Sequence, residues 1–170
     1  LISLVNTKIQ SGSIILGQDS DNIPLYDCSG TTIGSVQIRH SSGGVFQHLR
    51  LDNTEFDGFD FNRYTAELRR NHHNIHTTNR ERVQSDGGSQ SVDYQGLSAV
   101  YANAADGARK VGASLIASEF KIRHRYMKRR AYLNRIVDSN SPFEASSSVL
   151  QYLSSSIEAM LTGYGERPNR

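Results

Sequence analysis

Thr32-Ile33-Gly34-Ser35-Val36-Gln37-Ile38 and Val45-Phe46-Gln47-His48-Leu49-Arg50-Leu51, separated by the turn formers Ser41-Ser42-Gly43-Gly44, decide how the front of this chain is read. In the first run Ile33, Ser35 and Gln37 fall on one face, with Val36 and Ile38 on the other. That is the period-two signature of a strand. Phe46, Leu49 and Leu51 alternate less strictly in the second. Two shorter β-prone runs precede them, Ser13-Ile14-Ile15-Leu16 and Ile23-Pro24-Leu25-Tyr26, with Gly17-Gln18-Asp19 and Cys28-Ser29-Gly30 as turns. Short alternating runs punctuated by turn residues predict an antiparallel β-meander with one face buried. No internal repeat stands out.

Beyond the meander, Asp57-Gly58-Phe59-Asp60 reads as a turn, and Asp60 or Asn62 can cap a helix. Tyr64, Leu68 and Ile75 lend that helix a sparse apolar stripe, which weakens after Arg70. The polar, glycine-bearing QSDGGSQS interrupts the pattern and marks a connector. Leu97, Val100, Tyr101, Ala104, Ala108, Val111, Leu115, Ile122, Tyr126, Leu133, Ile136 and Val137 then recur at helical spacing. Gly107 and Gly112 inside this run mark a kink, a break or a close helix crossing. Ser141-Pro142-Phe143-Glu144 is a helix start signal, and Val149, Leu150, Tyr152, Leu153, Ile157, Met160 and Leu161 carry a second stripe to Gly163. The expected fold is therefore α+β: the small antiparallel meander and its trailing helix over 1–82, a Gly/Ser connector over 83–95, and a long antiparallel helical hairpin over 96–170.

Charge is distributed unevenly along this frame. Leu1–Tyr94 holds eight Lys/Arg against eleven Asp/Glu, and Gln95–Arg170 eleven against six, although the net charge is only +2. The basic excess concentrates in KIRHRYMKRRAYLNR, where Lys121, Arg123, Arg125, Lys128, Arg129, Arg130 and Arg135 occur with no acid among them. Helical arginines suit phosphate, because each guanidinium can donate two parallel hydrogen bonds. They suit an acidic protein surface equally. Asp52, Glu55, Asp57 and Asp60 in the front half offer one such surface, within a chain or between chains.

The remaining constellations are thinner. His72, His73 and His76 invite comparison with a metal site, since His72 and His76 share a helical face, but no HExxH pattern or nearby cysteine completes it. Glu67 is the nearest acid upstream. His40-Ser41-Ser42 and His76-Thr77-Thr78 resemble paired His-x-Ser/Thr elements without the apolar residues those need. Neither a phosphate-loop nor a dinucleotide fingerprint occurs, and the front acids fail EF-hand spacing. The single Cys28 cannot make an internal disulfide and reads as a small residue in a hairpin. No apolar run is long enough to cross a bilayer.

With 36% hydrophobic residues and no Trp, the core is thin for this length, which points to surface buried against other subunits. The chain is expected to be a non-enzymatic structural or assembly protein, a subunit of a large particle such as a virion. It would associate with sister subunits or other particle proteins through its helices and complementary charges, with no cofactor, no metal and no membrane. The alternative is a nucleic-acid-binding module, RNA or DNA, built on the basic helix 121–135. A further alternative is a small metal-dependent hydrolase or phosphoesterase using His40, His72, His73 and His76.

Overall fold

The computed structural model describes residues 1–16, 24–40, 44–76, 93–138, 149–154 and 156–157. Its front is not a meander. Strands β1 (Ile2–Ser3), β3 (Tyr26–Asp27) and β5 (Leu49–Arg50) form one parallel sheet, and β2 (Lys8–Ile15), β4 (Thr32–Arg39) and β6 (Glu55–Phe56) a second. Ile2 pairs with Tyr26 and Tyr26 with Leu49; Lys8 pairs with Thr32 and Thr32 with Glu55. Each circuit of chain therefore lies on the one before, advanced by 24 and then 23 residues, as the rungs of a short parallel β-solenoid. This corrects the antiparallel expectation. Alternation reports which side chains are buried and says nothing of the direction of the neighbouring strand.

Seen as rungs, the front carries the repeat that strand-by-strand inspection misses. Ile2-x-Leu4-x-Asn6-Thr7-x-Ile9 stacks on Tyr26-x-Cys28-x-Gly30-Thr31-x-Ile33, which stacks on Leu49-x-Leu51-x-Asn53-Thr54-x-Phe56. Asn6, Gly30 and Asn53 form a column of left-handed residues, with φ of 54°, 67° and 51°. Each turns the chain from the first sheet into the second, a conformation that Gly and Asn tolerate best. The threonines tie rung to rung: Thr31 Oγ1 donates to Leu4 O at 2.5 Å and Thr54 Oγ1 to Cys28 O at 2.8 Å. Thr31 and Thr54 are fully buried, so these bonds satisfy hydroxyls that would otherwise be costly. Cys28 belongs to an inward column between Leu4 and Leu51 rather than to a hairpin. Burial, with neighbouring Asp27, pushes its thiol up to about 11, which keeps it protonated and unreactive.

Residues 45–48, expected to open a strand, instead form a 3-10 helix that buries Val45 and Phe46. The Glu67 carboxylate accepts from Phe46 N at 3.1 Å and so holds the start of that turn. Asp60 accepts from Asn62 N and caps a second 3-10 turn, Phe61–Tyr64, which runs into α1 (Thr65–Arg70). Tyr64 Oη reaches back across to Ile38, accepting from its N–H at 2.7 Å and donating to its carbonyl at 3.0 Å.

Helices α2 (Tyr94–Lys110) and α3 (Ser114–Asp138) form an antiparallel hairpin across the base of the solenoid. Asp93 caps α2 by accepting from Gly96 N. Gly112, at φ +76°, ends it. Ala113 N donates to Ala108 O at 2.9 Å and Gly112 N to Arg109 O at 3.1 Å, the paired bonds of a Schellman termination. The hairpin turn thus falls at Gly112, one of the two glycines at which a kink, break or close crossing was expected. The turn resets the helical phase. On α2 the expected Leu97, Val100, Tyr101, Ala104 and Ala108 are buried, whereas beyond the turn Leu115 is 76% exposed. The true seam of α3 is Ile116, Ala117, Phe120 and Met127, all buried. Residues 149–154 and 156–157 are helical, within the second expected stripe; its start signal at 141–144 and the 83–92 part of the connector lie outside the described residues.

One hydrophobic cluster holds rungs and helices together. Phe61 is its hub, with ring centroids 4.7 Å from Phe59, 5.0 Å from Phe56 and 5.0 Å from Phe120 of α3. Gly107 lets α2 lie directly on the third rung: a Cβ there would fall on the Cβ of Phe56 and 2.8 Å from its carbonyl oxygen. Asn103 Nδ2 adds a hydrogen bond to Thr54 O at 2.9 Å.

Candidate functional site

The residues that carry chemistry in the sequence are spread over α3, the front acids, the 71–76 loop and His40. The cationic set lies on α3. Its inner edge is used for internal contacts: Arg123 donates to the carbonyl of His72, Arg135 to the side-chain carbonyl of Gln95 at the start of α2, and His124 Nδ1 lies 2.8 Å from Ser98 O and 3.0 Å from Ser98 Oγ. On the outer side, Arg130 donates to Tyr126 Oη at 3.0 and 3.1 Å and stacks 5.5 Å from that ring. Lys128 sits 6.0 Å from the ring of Tyr132. Lys121 is exposed and Arg125 half-buried. Two rings thus brace two cations in place, a cation–π arrangement that leaves the charge intact.

Three of the four acids expected to face α3 have other partners, and no ion pair of Glu55 is seen among the described residues. Arg50 holds Asp52 at 2.8 Å and Asp27 at 3.6 Å; Arg63 holds Asp60 at 3.2 Å; Lys110 of α2 holds Asp57 at 3.5 Å. Asp52, Asp57 and Asp60 pair, in these bridges, with local cations and with α2, rather than with α3. Among the described residues, no carboxylate lies within ion-pair distance of Arg123, Lys128, Arg129, Arg130 or Arg135. Arg123, Arg135, Arg130 and Lys128 meet a carbonyl, an amide and phenol rings, all neutral. Density of charge was legible in the sequence. The identity of its partners depends on the hairpin turn at Gly112 and was not.

The histidines form no helical face. α1 ends at Arg70, and His73 N donates to Leu68 O at 2.5 Å while His72 N donates to Arg69 O at 3.2 Å. This is the same termination as at Gly112, here with His72 and His73 left-handed at φ 50° and 57°. The i, i+4 relation expected of His72 and His76 therefore does not exist. Instead the 71–76 loop is strapped to the hairpin. Tyr101 Oη donates to Asn74 Oδ1 at 2.6 Å, accepts from Ile75 N at 3.3 Å and lies 2.9 Å from His76 Nδ1. His73 Nδ1 lies 3.9 Å from a Glu119 oxygen, and burial lowers its pKa against that carboxylate's pull. Among the described residues, no group of three or more His, Cys, Asp or Glu is placed to hold a metal ion. His40 lies apart, its ring 5.0 Å from that of His48. Burial, with His40 nearby, lowers the pKa of His48.

Apolar surface is the feature that sequence reading placed wrongly. Leu115, Tyr126 and Leu133 were expected in the seam of α3 and are exposed instead, spaced by whole turns along one stripe. On the helical residues 149–157, Leu150, Leu153 and Ile157 share a face and are 69%, 50% and 57% exposed. Among the described residues no helix is long and apolar enough to cross a membrane. No protein-family model, curated protein or solved structure matches the chain.

Proposed function

We propose that the chain is a structural module of a larger assembly, associating with sister subunits or other proteins of a particle through its helical surfaces. The apolar side chains left in water carry this reading. Leu150, Leu153 and Ile157 form one stripe, and Leu115, Tyr126 and Leu133 another. Large apolar side chains that share a helix face and stand exposed on a folded chain suit a protein contact. The cationic side of α3 supplies charge beside that stripe, where it orients a partner more than it binds one.

Native mass spectrometry across a concentration series tests it. Oligomers are expected, and Leu150→Ser, Leu153→Ser and Ile157→Ser together are expected to return the chain to monomer without altering its thermal unfolding. A parent chain that stays monomeric at high concentration and moderate salt contradicts the proposal.

One observation favours a second reading, docking of nucleic acid on α3. Arg123, Lys128, Arg129, Arg130 and Arg135 hold their charge with no carboxylate beside them among the described residues. Contact of three of them with phosphate implies an affinity loss on the order of tens-fold between about 50 and 200 mM salt. Affinity for labelled RNA and DNA that ignores Lys128→Gln, Arg129→Gln and Arg130→Gln removes it.

A further inference from the structure

The three rungs are equivalent in pattern and unequal in burial. In the second and third, the inward positions are sealed: Tyr26, Cys28 and Ile33 are 8%, 2% and 1% exposed, and Leu49, Leu51 and Phe56 are 2%, 4% and 3%. Their equivalents in the first rung are open: Ile2 is 41% exposed, and Leu4 and Ile9 are only half-buried. The columns are the same; what differs is that, among the described residues, rung 1 has a neighbouring strand on one side only.

Its polar groups tell the same story. Thr31 and Thr54 each donate to the rung before, whereas Thr7 turns back onto Leu4 O of its own rung at 2.7 Å. In the second sheet Thr32 N donates to Thr7 O, and Glu55 N and Asp57 N donate to Thr31 O and Ile33 O, each toward the preceding rung, whereas in the first sheet Ile2, Leu4 and Asn6 donate to the rung that follows. The equivalent donors of rung 1 are the N–H groups of Lys8 and Gln10, which point along the open edge of β2. That edge is eight residues long, contains no proline and carries one lysine. Such a strand is a template for pairing.

We propose that this edge is a docking surface for one further parallel rung of the same solenoid, in cis, with the apolar-x-apolar-x-Asn/Gly-Thr pattern of the other three. Such a rung supplies acceptors to Lys8 and Gln10, gives Thr7 a carbonyl to reach, and closes the columns over Ile2, Leu4 and Ile9. A second copy of the chain fits less well. Its own third rung is covered by α2, with Gly107 seated on Phe56, so head-to-tail stacking is blocked. Two-fold pairing of two β2 edges runs antiparallel and takes the columns out of register.

The test extends the full chain at its start by a copy of residues 25–48 carrying Cys28→Leu, and follows amide hydrogen exchange residue by residue. Lys8 and Gln10 amides are expected to exchange at least a hundredfold more slowly than in the parent chain, with a higher melting temperature. A scrambled extension is expected to give neither effect. Gln10→Pro, tolerable on an edge whose N–H faces outward, is expected to cancel the gain in melting temperature. Unchanged exchange at Lys8 and Gln10 in the extended chain overturns the proposal. So does a dimer of the parent chain that Gln10→Pro dissociates, because a second copy is then the occupant.

Discussion

Phe61→Ala is expected to lower stability by about 3–5 kcal/mol, the range for removing a fully buried aromatic ring. Phe61 is 0% exposed and packs on Phe46, Phe56, Phe59 and Phe120. Those neighbours come from the 3-10 turn, the third rung, the loop after it and α3, so one side chain joins four segments. The cavity left behind cannot close by moving one side chain, since rings line it on several sides, so the loss should fall at the upper part of that range. For a chain of this size it corresponds to a fall in melting temperature of roughly 10 °C. Urea unfolding checks it, with the slope unchanged and the midpoint lowered. A loss below about 1 kcal/mol would mean that the rungs and the helical hairpin do not share this core.

Gly107→Val is expected to cost about 3 kcal/mol or more, for the opposite reason. Replacing glycine inside a helix ordinarily gains a few tenths of a kcal/mol up to about 1 kcal/mol. Here the added Cβ meets the Cβ of Phe56 and its backbone, with the carbonyl oxygen at 2.8 Å and the carbonyl carbon at 3.4 Å. Backbone cannot swing aside as the end of a long side chain would. Either α2 lifts from the third rung, or Phe56 moves and loses its packing on Phe61 at 5.0 Å. Overpacking of a well-filled interior typically costs about 1–3 kcal/mol, and the two extra methyl groups of valine add to it. Gly107→Ala should be milder, with the sign still destabilising. A valine variant as stable as the parent would show that α2 does not lie on β6.

The sequence revealed elements better than their arrangement. The α2 stripe, the cap at Asp60, the end of α1 near Arg70 and the strand character of 32–38 follow from local chemistry, and the structure contains each of them. Strand direction did not follow. A solenoid rung and a meander strand bury alternate residues alike, and the column mates Ile2, Tyr26 and Leu49, or Leu4, Cys28 and Leu51, are too dissimilar to advertise a repeat. The signal that would have exposed it was narrower: Thr7, Thr31 and Thr54, each preceded by Asn or Gly, at nearly constant spacing. On α3 the failure was one of phase. Reading through Gly112 put Leu115, Tyr126 and Leu133 inside and left Phe120 and Met127 unnoticed, because Ala117 and His124 dilute the real seam. The cations of α3 were plain from composition, yet the pairing of Asp52, Asp57 and Asp60 with Arg50, Lys110 and Arg63 could be seen only in the folded chain.

Parallel stacking of the rungs is the claim on which the rest depends, and paired spin labels test it directly. In a Cys28→Ala background, labels at Lys8→Cys and Thr32→Cys should show strong dipolar broadening, since the two positions are register partners on adjacent strands about 4.8 Å apart. Labels at Lys8→Cys and Arg39→Cys should show little, because Arg39 pairs with Ile15 at the far end of the same strands, roughly 20 Å away. Strong broadening for the Lys8 and Arg39 pair, with weak broadening for Lys8 and Thr32, would place the strands antiparallel and contradict the solenoid.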